Sequence, residues 1–249
     1  MRIVCAFYTN IYGGTGGVML SVIGFDADDT LWHNELFYLQ GLKHLGRLLS
    51  VYMDPDLSEE MLNKIDVDNI EYWGYGIKSF TLSMIETAIA LTEGQVKGGE
   101  IMSIIDYAKQ GMKADLEFFE HVESSLEKLS GTFDLMLITK GDQFEQEKKI
   151  KRSGLSGYFR YIEIVAEKSR ETYQAILTKY GIDPAGFLMV GNSLRSDILP
   201  IIEIGGRAVY IPYSQTWSHE NLTGSGFDKT LYFELEHIGQ LPELVSNLR

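Results

Sequence analysis

The apolar positions along the chain change period twice. Leu20-Ser21-Val22-Ile23-Gly24-Phe25 has the length and near-continuous apolar character of a short buried strand, and the carboxylates of Asp26-Ala27-Asp28-Asp29 follow it directly. From about Glu35 to Leu116 the spacing becomes helical. Leu36, Leu39, Leu42, Leu45 and Leu49 recur at three and four residues, as do Ile77, Phe80, Met84, Ile85 and Ile89, and then Ile101, Ile104, Ile105 and Ala108. Gly94 and Gly98-Gly99 separate the last two stripes, and Asp56-Leu57-Ser58-Glu59 reads as an N-cap with a carboxylate three residues on. This region is predicted to be a bundle of several helices.

Beyond it, strands and helices alternate. The pattern predicts a helix over Val122 to Leu129, a strand over Phe133 to Ile138, and a helix over Phe144 to Arg152. A strand at Tyr161 to Val165, a helix at Arg170 to Tyr180, a strand at Phe187 to Val190 and a helix at Leu194 to Ile204 come next. Strand Ala208 to Ile211, a weaker strand Thr230 to Phe233 and helix Ile238 to Leu248 end the chain. Repeated units of this length imply a parallel sheet covered on both faces, an α/β three-layer sandwich of Rossmann-like layout. The expected division is a core of residues 19–34 and 117–249, a helical insertion of residues 35–116, and an N-terminal extension of residues 1–18. That extension is set aside as a flexible tail or an upstream continuation of a start at Met19. Its glycine run, Gly13 to Gly17, lacks the lysine and helix of a phosphate loop.

Charge narrows the partners. With 22 Lys plus Arg against 35 Asp plus Glu the net charge is −13, which repels nucleic-acid backbones and anionic membranes at long range. A small anion remains admissible, since a metal and a few placed cations reverse the sign locally. The apolar runs are too short for a membrane span or a signal-peptide core. The single cysteine, Cys5, excludes an intramolecular disulfide and a cysteine-cluster metal site and fits a reducing, cytoplasmic setting. Composition leaves monomer and homodimer equally open.

In an open parallel sheet, ligands bind at the carboxyl edge of the strands, so the residues just past each strand end matter most. Here they are Asp26 and Asp28, then Thr139-Lys140-Gly141, then Lys168, then Gly191-Asn192-Ser193 with Asp197 beyond. That set suits attack on a phosphate ester. One carboxylate can act as nucleophile, and one two residues later can protonate the leaving oxygen. A hydroxyl and backbone N–H groups can hold phosphoryl oxygens while a lysine offsets developing charge. Magnesium suits such a sparse oxygen site.

These residues resemble the motifs of the haloacid dehalogenase superfamily. Gly24-Phe25-Asp26-Ala27-Asp28-Asp29-Thr30-Leu31 is similar to its first motif, Ile138-Thr139-Lys140-Gly141 to the second, Lys168 to the third, and Val190-Gly191-Asn192-Ser193 with Asp197 to the fourth. The resemblance implies that Asp26 is a nucleophile forming an aspartyl-phosphate and that Asp28 is the general acid and base. Thr139, Lys140 and Gly141 would bind the phosphoryl group, and Lys168 would stabilise the charged nucleophile. Asp26, the backbone carbonyl of Asp28, Asp197 and Asn192 would hold Mg2+. Many members carry an aspartate where this chain has Asn192, so that position is expected to contribute less. Dehalogenases and phosphonate-cleaving members usually lack the second aspartate, so Asp28 favours a phosphatase acting on a small phosphorylated metabolite. A phosphomutase and a catalytically weak phosphate-binding regulator are the alternatives. The helical insertion resembles the family's helical cap, with Trp32, His33, Asn34 and Glu35 at its entry, where they could touch the leaving group.

Simpler roles exist for each residue. Asp26 and Asp28 could be turn residues, Thr139 a helix cap, Lys168 a solvated surface group, and Asp197 an early-helix carboxylate. Ser193 and Arg195 are as well explained by a surface position as by the site. His219 beside Glu220 is more simply structural than catalytic.

Overall fold

The computed structural model describes residues 18–52, 54–215 and 228–248. Cys5, the glycine run and the Trp217 to Glu220 stretch lie outside the described residues. The core is a sheet of β1 (Val22–Phe25), β2 (Asp134–Lys140), β3 (Tyr161–Val165), β4 (Phe187–Gly191), β5 (Arg207–Tyr210) and β6 (Phe233–Glu234). Every pairing is parallel, in the order β3-β2-β1-β4-β5-β6.

Period-two alternation assigns the side chains to opposite faces. Ile23, Phe25, Leu135, Leu137, Leu188 and Val190 share one apolar cluster, whereas Val22, Met136, Ile138, Phe187 and Met189 share the other. Helices cover both faces, which is why β1 is buried throughout. The first cluster takes in residues from α5 (Val122–Ser130), α6 (Gln143–Ser153) and α9 (Leu241–Ser246); the second takes in α7 (Arg170–Tyr180) and α8 (Leu199–Glu203).

Between β1 and α5 the chain forms α1 (Glu35–Leu49), α2 (Pro55–Trp73), α3 (Ile77–Leu91) and α4 (Gly98–Gly111). These four helices have a separate apolar core in which Leu45, Leu49, Leu62 and Ile104 are fully buried. Each such side chain contributes about 1.5–3 kcal/mol. Of the predicted stripes, Leu42, Leu45, Leu49, Phe80, Met84, Ile85, Ile101 and Ile104 join this core, whereas Leu36, Leu39, Ile77, Ile105 and Ala108 fall outside the cluster and Ile89 is 47% exposed. Helix α2 begins at Pro55, so the expected N-cap position Asp56 lies within it. The predicted helix from Leu194 opens as a wide π turn, Leu194–Ile198, before α8.

The central strand β1 lies between β2 and β4, with Phe25 level with Leu137 and Val190. The chain therefore leaves the sheet at Asp26 in the crevice between the ends of β2 and β4, where the strand order diverges to either side.

Candidate active site

Asp26 is tied to the sheet edge by its N–H, which donates to the Val190 carbonyl at 2.9 Å. Its side chain is almost wholly buried. Oδ2 accepts from Thr30 at 2.8 Å, and Oδ1 takes a close ion pair with the Lys168 ammonium. Lys168 also reaches Asp197 Oδ1 at 2.7 Å, so one lysine bridges two carboxylates. Burial pushes the Asp26 carboxyl up to about 7; Lys168 opposes this, and Asp197 and Asp28 add to it. Burial alone would lower Lys168, but Asp197 and Asp26 outweigh it and hold the ammonium well above the ordinary lysine range.

Asp197 is positioned by the π turn. Its N–H donates to the Ser193 carbonyl, and its Oδ2 accepts the Ser193 N–H at 3.0 Å. A Cβ at Gly191 would collide with the Asp197 carboxylate, so only glycine admits that side chain at the end of β4. Asn192 Oδ1 accepts from the Thr30 hydroxyl at 3.3 Å, joining it to Asp26 through a shared donor. Ser193 is buried in the same crevice, whereas Arg195 is exposed.

Asp28 is held by Lys149 and Gln146, which the sequence did not single out, and by Trp32, which it placed at the entry to the insertion. Lys149 on α6 approaches both of its oxygens at 2.7 Å, Gln146 donates to Oδ2 at 2.8 Å, and the buried Trp32 indole donates to Oδ1 at 2.6 Å. Lys149 also reaches Asn34 at 2.9 Å. Asp29, in a left-handed conformation with φ 62°, accepts the N–H groups of Asn34 and Glu35 and so caps α1. Burial pushes its carboxyl up to about 6 against those hydrogen bonds. His33 turns away toward Tyr213, 3.0 Å from its hydroxyl.

Thr139 at the end of β2 is 1% exposed, yet its hydroxyl makes no hydrogen bond. It is not the helix cap: Asp142 fills that role by accepting the Glu145 N–H. A buried unsatisfied hydroxyl facing a cavity is a place made for an acceptor or donor on a ligand. Gly141 has φ 145° and gives its N–H to the Val165 carbonyl at 3.1 Å, which leaves it to shape the turn. Lys140 lies 4.1 Å over the Tyr75 ring and 3.6 Å from Glu167.

A cavity of about 340 Å³ lies between the sheet edge and the helical insertion. Asp26, Asp28, Thr139, Lys168, Asn192 and Asp197 line it on one side, and Tyr38, Phe80 and Ile70 are among those on the other. The volume is in the range of small-molecule sites. The arrangement can present a carboxylate to an electrophile, place a second carboxylate beside the leaving atom, and balance charge with a buried ammonium. Among the described residues, no group of three or more His, Cys, Asp or Glu side chains forms a metal cage. The oxygen set of Asp26, Asp197 and a backbone carbonyl is instead of the sparse kind that suits magnesium.

The model of the haloacid dehalogenase-like hydrolase family matches residues 20–205. The chain belongs to this family. A haloacid dehalogenase-like family hydrolase from Xanthomonas campestris is 35% identical with a TM-score of 0.83, over 94% of both chains. More distant structures share the fold. A 2-haloacid dehalogenase from Pseudomonas syringae is 18% identical with a TM-score of 0.61, over 93% of this hydrolase and 100% of that chain. A HAD phosphatase from Thermococcus onnurineus is 19% identical with a TM-score of 0.60, over the same 93% and 100%. No curated protein matches the sequence. Among the described residues of this hydrolase, no helix is long and apolar enough to cross a membrane.

Proposed function

We propose that this hydrolase is a magnesium-dependent phosphatase that cleaves a small phosphomonoester through an aspartyl-phosphate on Asp26. The observation that carries this reading is Asp28, a second carboxylate two residues beyond Asp26 and bordering the same cavity. Attack at carbon to displace a halide needs no proton donor, whereas departure of an alkoxide from phosphorus does. A dehalogenase and a phosphatase resemble the fold about equally, so the residues must decide. The unsatisfied Thr139 hydroxyl supports the same reading, since a phosphoryl oxygen would satisfy it.

In this mechanism an Asp26 oxygen attacks phosphorus, the bond from phosphorus to the ester oxygen breaks, and protonated Asp28 gives its proton to the departing oxygen. Ionised Asp28 then takes a proton from water, whose oxygen attacks the phosphorus of the aspartyl-phosphate and releases inorganic phosphate with Asp26 restored. Lys168 offsets charge on Asp26, and Thr139 holds a phosphoryl oxygen. Asp26, Asp197 and the Asp28 carbonyl would hold Mg2+, with Asn192 in a lesser role through Thr30. When bound, the cation supplies positive charge to the phosphoryl oxygens. The helical insertion acts as a cap that excludes water during departure of the leaving group.

The test is a magnesium-dependent assay on phosphomonoesters with Asp26→Asn and Asp28→Asn beside the parent. Parental turnover in Asp26→Asn would rule out the covalent route. Asp28→Asn should slow alkyl esters by about 10²–10⁴-fold and activated aryl phosphates much less; equal losses would remove Asp28 from the role of acid.

A further inference from the structure

The cavity wall that faces the phosphate end has its own chemistry. On α2, Glu59, Asn63, Asp66 and Ile70 all border the cavity. Their spacing of four, three and four residues puts them in one row on the helix. Across from them, α1 contributes Glu35, Tyr38, Leu39 and Leu42, again at helical spacing. Among the described lining residues the cations are Lys140 and Lys168. Lys168 is committed to Asp26 and Asp197, and Lys140 stands beside Thr139 at the end of β2. The wall away from the sheet edge is therefore acidic and apolar, with no cation of its own among the described residues.

Two polar side chains point to a ligand in this space. The Thr139 hydroxyl, 1% exposed, has no hydrogen bond. The Tyr38 hydroxyl is raised well above the ordinary tyrosine range, first by burial and then by Glu145, Asp28, Glu35 and Asp66. The field of these carboxylates is thus negative at Tyr38. Asp66 is itself raised by burial although Ser83 hydrogen-bonds it. An anionic leaving group would enter against this field. A cation would relieve it, and Asp66 offers an ammonium a charged acceptor, with Glu59 two turns away on the same row.

We propose that the ester taken by this cavity carries a protonated amine on its leaving alcohol and no second anionic group, with Asp66 receiving the amine. This inference rests on the phosphatase reading and adds the substrate class to it. The apolar surface of Leu39, Leu42, Ile70 and Phe80 packs against the carbon skeleton, and the amide of Asn63 serves a hydroxyl.

The experiment compares three esters of one skeleton with Mg2+: glucosamine 6-phosphate, glucose 6-phosphate and 6-phosphogluconate, with p-nitrophenyl phosphate as reference. A charged hydrogen bond formed in the cavity should favour the amine over the neutral sugar by roughly tenfold or more in kcat/KM, and the carboxylate should be slowest. Asp66→Asn should shrink the amine-to-neutral ratio toward one and raise the relative rate of 6-phosphogluconate, and Glu59→Gln, two turns away, should do so less. Binding of the same three esters to Asp26→Asn protein, followed by calorimetry, should give the same ranking without turnover. If p-nitrophenyl phosphate and glucose 6-phosphate are hydrolysed but the amine has no advantage, or the carboxylate is preferred, the inference is overturned and the phosphatase reading stands. If no ester, p-nitrophenyl phosphate included, is hydrolysed or bound, both fall together.

Discussion

The two walls of the cavity are built on different terms. At the sheet edge the polar groups are buried and mutually fixed: Lys168 spans Asp26 and Asp197, the Ser193 N–H holds Asp197, and Trp32, Gln146 and Lys149 hold Asp28. On the helical side, Glu59 and Asn63 are exposed and the packing beneath them is apolar. Separate contacts join the two sides. Glu145 on α6 accepts the Ile77 N–H at 2.9 Å, Lys78 pairs with Asp142 at 2.8 Å, and the Tyr75 hydroxyl donates to Glu167 at 2.9 Å. The difference separates two tasks. Chemistry needs groups whose geometry is settled before substrate arrives, whereas recognition of the leaving group can rest on a surface that adjusts.

If the sheet-edge wall is the chemical one, its variants should destroy turnover out of proportion to any loss of stability. Asp26→Asn is nearly isosteric and should lower kcat by about 10⁴-fold or more while the protein stays folded. The same change should alter the dependence of stability on pH. The Asp26 carboxyl is raised from 3.8 to about 7 in the folded chain, so between those values the native state holds a proton that the unfolded chain has released. Native binding of the extra proton means that stability contributed by this group falls as pH rises from about 4 to about 7. Denaturant titrations in EDTA at pH 5 and pH 8 should therefore show a steeper decline for the parent than for Asp26→Asn. A parent no steeper than the variant would contradict the buried, proton-holding state of this carboxyl.

Gly191→Ala tests the geometry rather than the charge. The added methyl displaces the Asp197 carboxylate, and a shift on the order of 1 Å costs about 10²-fold. Loss should appear in kcat and in magnesium dependence together. An alanine variant with parental magnesium response would mean that the position of Asp197 is unimportant.

The same contrast explains what could be read from sequence. The strands and the residues past their ends were legible because a buried parallel strand is a short apolar run with a sharp polar stop. Tyr161 to Val165 and Arg170 to Tyr180 fall on β3 and α7 without adjustment, and Asp26, Thr139, Lys168 and Asp197 converge as their places on the sheet required. Lys149 and Gln146 were not legible. Helix α6 reads as a charged, solvated helix with Phe144 as its obvious apolar anchor, yet Phe144 is 56% exposed while Glu145, Gln146 and Lys149 are buried. Their burial makes sense only once Asp28 and the insertion are known to face them. Likewise the row Glu59, Asn63 and Asp66 carries no apolar periodicity, so nothing in α2 announced which side would meet the cavity.

The smallest effect expected is also the one that divides the walls by sign. Thr139 keeps a buried hydroxyl with no partner, a burden of about 1–3 kcal/mol, and valine has the same shape without it. Thr139→Val should therefore raise stability in the ligand-free protein by about 1 kcal/mol, seen as a melting temperature about 2–4 °C higher, while weakening vanadate or phosphate binding by roughly tenfold. Thr87 on the helical side is equally buried, but its hydroxyl donates to the Ser83 carbonyl at 2.7 Å. Thr87→Val removes a bond that is made, so it should lower stability by about 1 kcal/mol and leave anion binding unchanged. Two threonine-to-valine changes at equal burial should thus move stability in opposite directions. If Thr139→Val is instead the destabilising one and binds anions normally, its hydroxyl serves the fold rather than a phosphoryl group.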